Sequence, residues 1–412
     1  MPTSTSRLLL LLPTTTYRTE AFVDAASKLG VELVCASERP SALQELAPEA
    51  LVTLDFRDPV ASSETVARFA RRRPIDAVVA VDDLTTVVAA AISERLGLKA
   101  NSLSAARAAR DKHTMRRCLA STGVPVPRFR LVKLADDPAA LAEGVEYPCV
   151  LKPLMLSASR GVIRANDARE FVAAFRRITA ILEDAVSAPA DEVRQLLVEE
   201  FIPGREVALE GLLVGGTLHV LALFDKPDPL DGPFFEETIY VTPSRLSKTG
   251  QDRIAAVTRD ACSALGLTEG PIHAELRVND RGPFVLEVAA RSIGGLCART
   301  LRFGTGLSLE ELILCHALGR PLESLERERQ SAGVMMIPIP RAGRLTAVRG
   351  TEEAAAVDAI EEVAITMHPG QEVVPLPEGW QYLGFIFARG ETPAAVEEAL
   401  REAHTRLHFD IE

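Results

Sequence analysis

Over the first hundred residues, short apolar runs alternate with stretches of helical period. Residues 7–12, 32–35, 51–54 and 77–81 read as strands, and 19–29, 63–72 and 84–96 as helices between or after them. This βα alternation predicts a doubly wound parallel α/β sheet with ligands near the carboxyl ends of its strands. Thr14, Thr15 and Thr16, and Asp82 and Asp83, follow strands and are candidates to line a cleft; the aspartates serve equally well as a helix cap. No GxGxxG follows the first strand, which counts against a dinucleotide-binding domain.

Residues 101–121 are helical in pattern and rich in Ala and Arg, and Val124-Pro125-Val126-Pro127 reads as a stiff boundary. A short apolar strand, 147–153, ends beside Lys152 and runs into the small-residue stretch 156–162. A helix over 168–182 leads to a strand at 195–201 and the turn Pro203-Gly204. Residues 224–244 hold Asp225, Asp228, Asp231, Glu236 and Glu237 among Pro and Gly, and read as a loop over a cleft rather than a strand. The segment 331–412 reads as strands and turns with a helical end at 393–407.

The alternation in HAELRV and PFVLEVA predicts two strands, with Asn279-Asp280-Arg281-Gly282 as the punctuation of a hairpin. In an antiparallel pair, Glu275 and Glu287 could share one face and bind Mg²⁺; solvated strand charges are the other reading.

A length of 412 residues suits roughly three domains. A charged fraction of 25% and a hydrophobic fraction of 47% are ordinary for a globular protein. The net charge of −11 argues against nucleic acid or an anionic membrane as partner, because both need a basic surface. The run 8–12 is too short for a membrane span or a signal-peptide core. Six scattered cysteines without a CxxC point to reduced thiols and a cytoplasmic setting. Lysine is scarce, 7 against 39 Arg, so a retained lysine invites the question of what needs an ammonium. Lys152, beside a loop rich in Ser and Gly, suits nucleotide phosphates, although an ordinary strand-end charge also fits; Lys112 is more ambiguous, since helix surfaces commonly carry Lys.

Taken in order, DKHTMRRCLASTGVPVP, CVLKP, SASRGV, LLVEEFIPGREVALEG and HAELRV…PFVLEVAARSIGG resemble the ATP-grasp superfamily, and the likeness covers nearly the whole chain. The resemblance implies an N-terminal α/β domain (1–108), linker helices and a lid lobe (109–201), a catalytic α+β lobe (202–330) and a small C-terminal β-rich subdomain (331–412). ATP would lie between the two lobes. Its phosphates would meet Lys112, Lys152, Ser157, Ser159, Arg160 and Gly161. Glu199, Glu200, Phe201 and Ile202 would form the adenine hinge, and Glu206 would hold the ribose hydroxyls. Glu275 and Glu287 would bind Mg²⁺ or Mn²⁺, and Arg291 would stabilise the transferred phosphoryl group.

Ala289 stands where many members carry Asn in an E-x-N-x-R pattern, so a second metal would have one protein ligand fewer. That replacement, and the acidic 224–244 segment, are similar to bacterial L-amino acid ligases. Glu237 would then meet a substrate ammonium and Tyr240 would form a pocket wall, with Arg291 and Gly294 also at the substrate. His273, two residues before Glu275, could contact phosphate or substrate, and a hydrogen-bonded structural histidine is the other reading. The implied reaction is ATP-dependent carboxylate–amine ligation through an acyl phosphate, with a homodimer as the implied assembly. Two alternatives stand beside it: a carboxylase or purine-pathway ligase of the same superfamily, and a nucleotide-binding protein that no longer turns over.

Overall fold

Strand β1 (Arg7–Leu11) carries four consecutive leucines, Leu8 to Leu11, with no exposed surface. Burial on both faces suits the interior of a parallel sheet. β1 lies between β2 (Glu32–Ser37) and β4 (Ala77–Ala80), with β3 (Leu51–Thr53) outside β2, all parallel. The helices of this domain are α1 (Thr19–Lys28), α2 (Pro59–Ala70) and α3 (Asp83–Leu96). α2 starts four residues before the expected position because Asp58 accepts the Ala61 amide at 2.9 Å and Pro59 suits the first turn. The computed structural model describes residues 6–41, 44–184 and 194–412.

The helical stretch after this domain is two helices, α4 (Leu103–Arg110) and α5 (Lys112–Ser121), broken at Asp111. Asp111 is extended, and its carboxylate accepts the Thr114 amide at 2.6 Å. That cap fixes Lys112 in the first turn of α5, facing inward.

A four-stranded antiparallel sheet forms the lid, in the order β5 (Phe129–Lys133), β8 (Gln195–Glu200), β6 (Cys149–Pro153), β7 (Ile163–Ala165). The helix Ala168–Asp184 packs on it through Phe171, Phe175 and Ile178. A larger sheet of eight strands forms the second lobe. Its first five are β13 (Gly282–Ala289), β12 (Gly270–Asn279), β9 (Arg205–Val214), β10 (Thr217–Asp225) and β11 (Ile239–Thr242). Beyond β11 the sheet continues without a break into Ser331–Ile337, Gly384–Gly390 and Ile360–Ile365 from the C-terminal segment.

Two expectations change here. The acidic stretch read as a loop contains β11, four buried residues that join the two halves of the large sheet. The residues between β10 and β11 are irregular apart from a single bridge from Phe234 to Ile163. The C-terminal segment holds a second helix, Thr351–Ala355, and the helix Pro393–Arg406 is followed by a last strand, His408–Ile411.

Phe385, on Gly384–Gly390, has no exposed surface and touches Tyr17 and Tyr382 with ring centroids 5.7 and 6.0 Å away. Gly295 (φ +59°) turns directly above it, and a Cβ there would come within 3.1 Å of its ring. This ring therefore supports the N-terminal domain, the C-terminal strand and the Gly294-Gly295 turn together. Phe385→Ala is expected to cost about 3–5 kcal/mol, measured as a lower denaturation midpoint. A loss near zero would mean that the cluster does not hold these parts together.

Candidate active site

The N-terminal domain, the lid and the large sheet surround a cavity of about 470 Å³. Thr15, Thr16, Asp82 and Asp83 reach it from the carboxyl ends of β1 and β4. Every candidate site residue from the sequence lines it except Thr14, whose amide is donated to Glu38, and Gly161, whose amide is donated to Pro377 O at 2.9 Å. The loop before Gly161 is unusual: Ala158 and Ser159 both have φ +55°, a left-handed turn of backbone that can present N–H groups to an anion.

Glu275 and Glu287 are direct cross-strand partners on β12 and β13, with a bulge immediately after Glu275. The turn between the strands is Asp280-Arg281, closed by the Arg281 amide on Asn279 Oδ1 at 2.9 Å. Two carboxylates on one cavity wall are a hard-oxygen donor set that fits Mg²⁺. In the chain by itself, cations of the protein hold both. Lys112 Nζ lies 3.4 Å from Glu287 and also donates to Leu156 O at 2.9 Å. Lys226 Nζ and His273 Nε2 lie 3.1 and 3.5 Å from Glu275.

Lys226 is the main feature that sequence reasoning missed. Its side chain is 2% exposed, and it joins Glu206 at 2.9 Å, Glu237 and Glu275. The oxygens of these three carboxylates lie within 4.8 Å of one another, and the ammonium fills the space that spacing alone would offer to a metal. Burial works against charge on Lys226, yet Glu206, Glu237 and Glu275 outweigh it and raise its pKa well above that of an ordinary lysine. Burial also pushes Glu237 up to about 7, helped by the Glu275 charge and opposed by Lys226. On His273 burial opposes the cation, but hydrogen bonds to Glu210 and Glu275 prevail and raise it to about 9. Glu210, fully buried on β9, accepts from the Ile293 amide at 3.1 Å as well, so it ties His273 of β12 to the Arg291–Gly295 turn.

Residues 199–202 rest on a second buried network. Glu199, at the end of β8, meets Lys152 Nζ at 2.7 Å and Arg116 Nε at 2.5 Å. Arg116, fully buried, also donates to the carbonyl of Leu286, next to Glu287. Arg277 donates to Ile202 O at 3.0 Å and to Glu206 at 3.1 Å. Glu200 faces outward to Arg128 and Arg281. The lysine count held the signal for Lys226: Lys112, Lys152 and Lys226 reach this site, while Lys28, Lys99, Lys133 and Lys248 are exposed.

Arg291 pairs with Asp83 at 2.8 Å, joining the N-terminal domain to the lobe of the large sheet. Burial raises the Asp83 carboxyl, but Arg291, Arg110 and Lys112 outweigh it and hold it at about 2. The folded pKa lies below the unfolded value of about 3.9, so the contribution is complete above that value and lost as pH falls toward 2. Asp83→Asn is expected to lower stability by about 2 kcal/mol at neutral pH, and the gap should halve by about pH 3 in urea titrations. A gap independent of pH would contradict the pairing.

The fold and this site define a two-lobed, carboxylate-lined protein of the ATP-grasp type, and the comparisons with known proteins agree. Residues 145–300 match the model of the ATP-grasp domain, 23–98 that of the ATP-grasp N-terminal domain, and 335–412 that of the L-amino acid ligase C-terminal domain 2. Residues 145–300 thus form an ATP-grasp domain, and the chain is L-amino acid ligase-like. Its fold is similar to the crystal structure of L-amino acid ligase from Bacillus licheniformis, with a TM-score of 0.79, 26% identity and 99% of each chain covered. Alanine–anticapsin ligase of Bacillus subtilis is 27% identical over 61% of this chain and 56% of its own length. Dapdiamide A synthase of Enterobacter agglomerans is 28% identical over 73% of this chain and 71% of its own. The chain spans 56–61% of the length of several of the curated relatives it matches.

Proposed function

We propose that the protein is an ATP-dependent carboxylate–amine ligase that joins an amino acid, or a related carboxylate, to an amine through an acyl phosphate. The observation that carries this reading is the convergence of Lys112, Lys152 and Arg291 with Glu275, Glu287 and Glu237 on one cavity. Cations suited to phosphate, carboxylates suited to a divalent ion and a carboxylate suited to an ammonium then lie within reach of one another.

In this reading the adenine sits at the hinge 199–202, and Glu206 takes the ribose hydroxyls. Lys112, Lys152 and the turn at Ser157–Arg160 hold the phosphates. Glu275 and Glu287 would hold Mg²⁺ or Mn²⁺, which when bound neutralises phosphate charge. The substrate carboxylate attacks the γ-phosphorus, the bond to ADP breaks, and Arg291 stabilises charge on the phosphoryl group. The amine then attacks the acyl carbon, and the carbon–oxygen bond to phosphate breaks. The protein supplies position and charge, so no nucleophilic Ser or Cys is assigned. Burial pushes the Cys149 and Cys262 thiols up to about 12, well removed from a reactive thiolate.

Release of ADP from MgATP across single and paired amino acids, with mass spectrometry of the products, tests the proposal. The expected result is pair-dependent release and a product lighter by one water than its two substrates. ATP hydrolysis that ignores every amine, or depends on bicarbonate, would sink it. Lys152→Ala and Glu287→Ala should each lower turnover by about 100-fold or more while keeping the wild-type circular dichroism; full activity in either removes that residue from the site. Glu237→Ala should leave nucleotide affinity intact and raise the KM for an α-amino substrate roughly tenfold. An unchanged KM for every accepted amino acid would remove Glu237 from the pocket.

A further inference from the structure

The chain has four tyrosines and one tryptophan, and four of these five residues, Tyr17, Tyr240, Tyr382 and Trp380, line the same cavity. Aromatic residues make up only 5% of the sequence, so their concentration here is a property of the cavity and not of composition. Phe385 backs Tyr17 and Tyr382, while Phe224 packs against Tyr240 with ring centroids 5.7 Å apart. Each tyrosine therefore has one side supported and another on the cavity. Glu237 lines the same cavity, three residues before Tyr240.

Trp380 is brought there by a turn with little freedom. The Gly379 amide donates to Pro375 O at 2.8 Å, and a Cβ on Gly379 would fall 1.8 Å from Val374 O. The turn is also fastened to the lid: Pro377 O accepts from Gly161, and Glu378 O accepts from Arg160 Nε at 2.8 Å. The Glu378 carboxylate takes Arg177 in a bidentate pair at 2.6 and 2.9 Å. Trp380 stays half-buried in this frame, held at the cavity wall. A half-buried aromatic surface and a carboxylate lining one cavity offer two things to one small molecule: an apolar face and a partner for an ammonium.

We propose that Trp380, with Tyr17 and Tyr382, forms a specificity pocket for the side chain of the amino acid whose ammonium meets Glu237, and that the pocket selects large apolar or aromatic side chains. The inference rests on the ligase reading for the orientation of that substrate. It assigns a role to the C-terminal segment, which contributes Trp380 and Tyr382 to the cavity lining and determines what the pocket accepts.

The single tryptophan serves as its own reporter. In the presence of a non-hydrolysable MgATP analogue, L-phenylalanine, L-leucine and L-alanine are titrated by intrinsic fluorescence and by calorimetry. Phenylalanine and leucine are expected to shift Trp380 emission and to bind about tenfold tighter than alanine or better. Trp380→Ala should weaken phenylalanine about tenfold while leaving alanine and the nucleotide analogue unchanged, and Trp380→Phe should restore most of the preference. Alanine binding as tightly as phenylalanine, an equal loss for both in Trp380→Ala, or no amino acid bound at all would each overturn the pocket. The two readings separate cleanly. Selective binding of phenylalanine without any ATP turnover supports the pocket and defeats the ligase; ligation with no side-chain preference does the reverse.

Discussion

Bringing several carboxylates into one poorly solvated cavity is possible only if the chain supplies the opposing charge from within, and the rest of the site is arranged around that constraint. Glu206, Glu237 and Glu275 converge on the buried Lys226, Glu287 meets Lys112, and Glu199 is held between Lys152 and Arg116. Removing one partner from such a buried pair costs about 3–5 kcal/mol, because the other charge is left without compensation. The same lysines and carboxylates are the groups a nucleotide and its metal would engage. The site is thus charge-neutralised before ligands arrive, and its donors already point inward.

The networks also explain how separate elements act as one site. Arg116 lies on α5, yet it binds Glu199 of the lid and the carbonyl beside Glu287 in the large sheet. Arg277 joins the carbonyl of Ile202 to Glu206, and Glu210 joins His273 to the Ile293 amide. Across the N-terminal domain, Arg18 meets Glu310 at 3.0 Å with both side chains buried, and Asp83 meets Arg291. Each contact bridges two parts of the fold, so a shift of the lid or of the N-terminal domain is transmitted to the groups around the cavity.

Local patterns made much of this visible in advance. The Glu275–Glu287 hairpin was legible because alternation, a polar turn and a glycine all fall within a few residues, and the register did bring the two glutamates opposite each other. The βα alternation of the first domain was legible for the same reason. Lys226 was not, since its three partners stand 11, 20 and 49 residues away and no periodicity links them. β11 was hidden by its acidic, proline-containing flank; its identity as a strand depends on pairing with Ser331–Ile337, nearly a hundred positions later. The start of α2 is a different case, because Asp58-Pro59 was a readable cap signal.

The central claim is that the cavity activates a carboxylate by phosphoryl transfer. Its most direct test is to supply the carboxylate substrate with heavy oxygen in both carboxyl positions and to analyse the phosphate released during turnover. The account expects one labelled oxygen to appear in phosphate and one to remain in the amide product. Label confined to the product or to unreacted acid, with ATP consumed at the same rate, would contradict it.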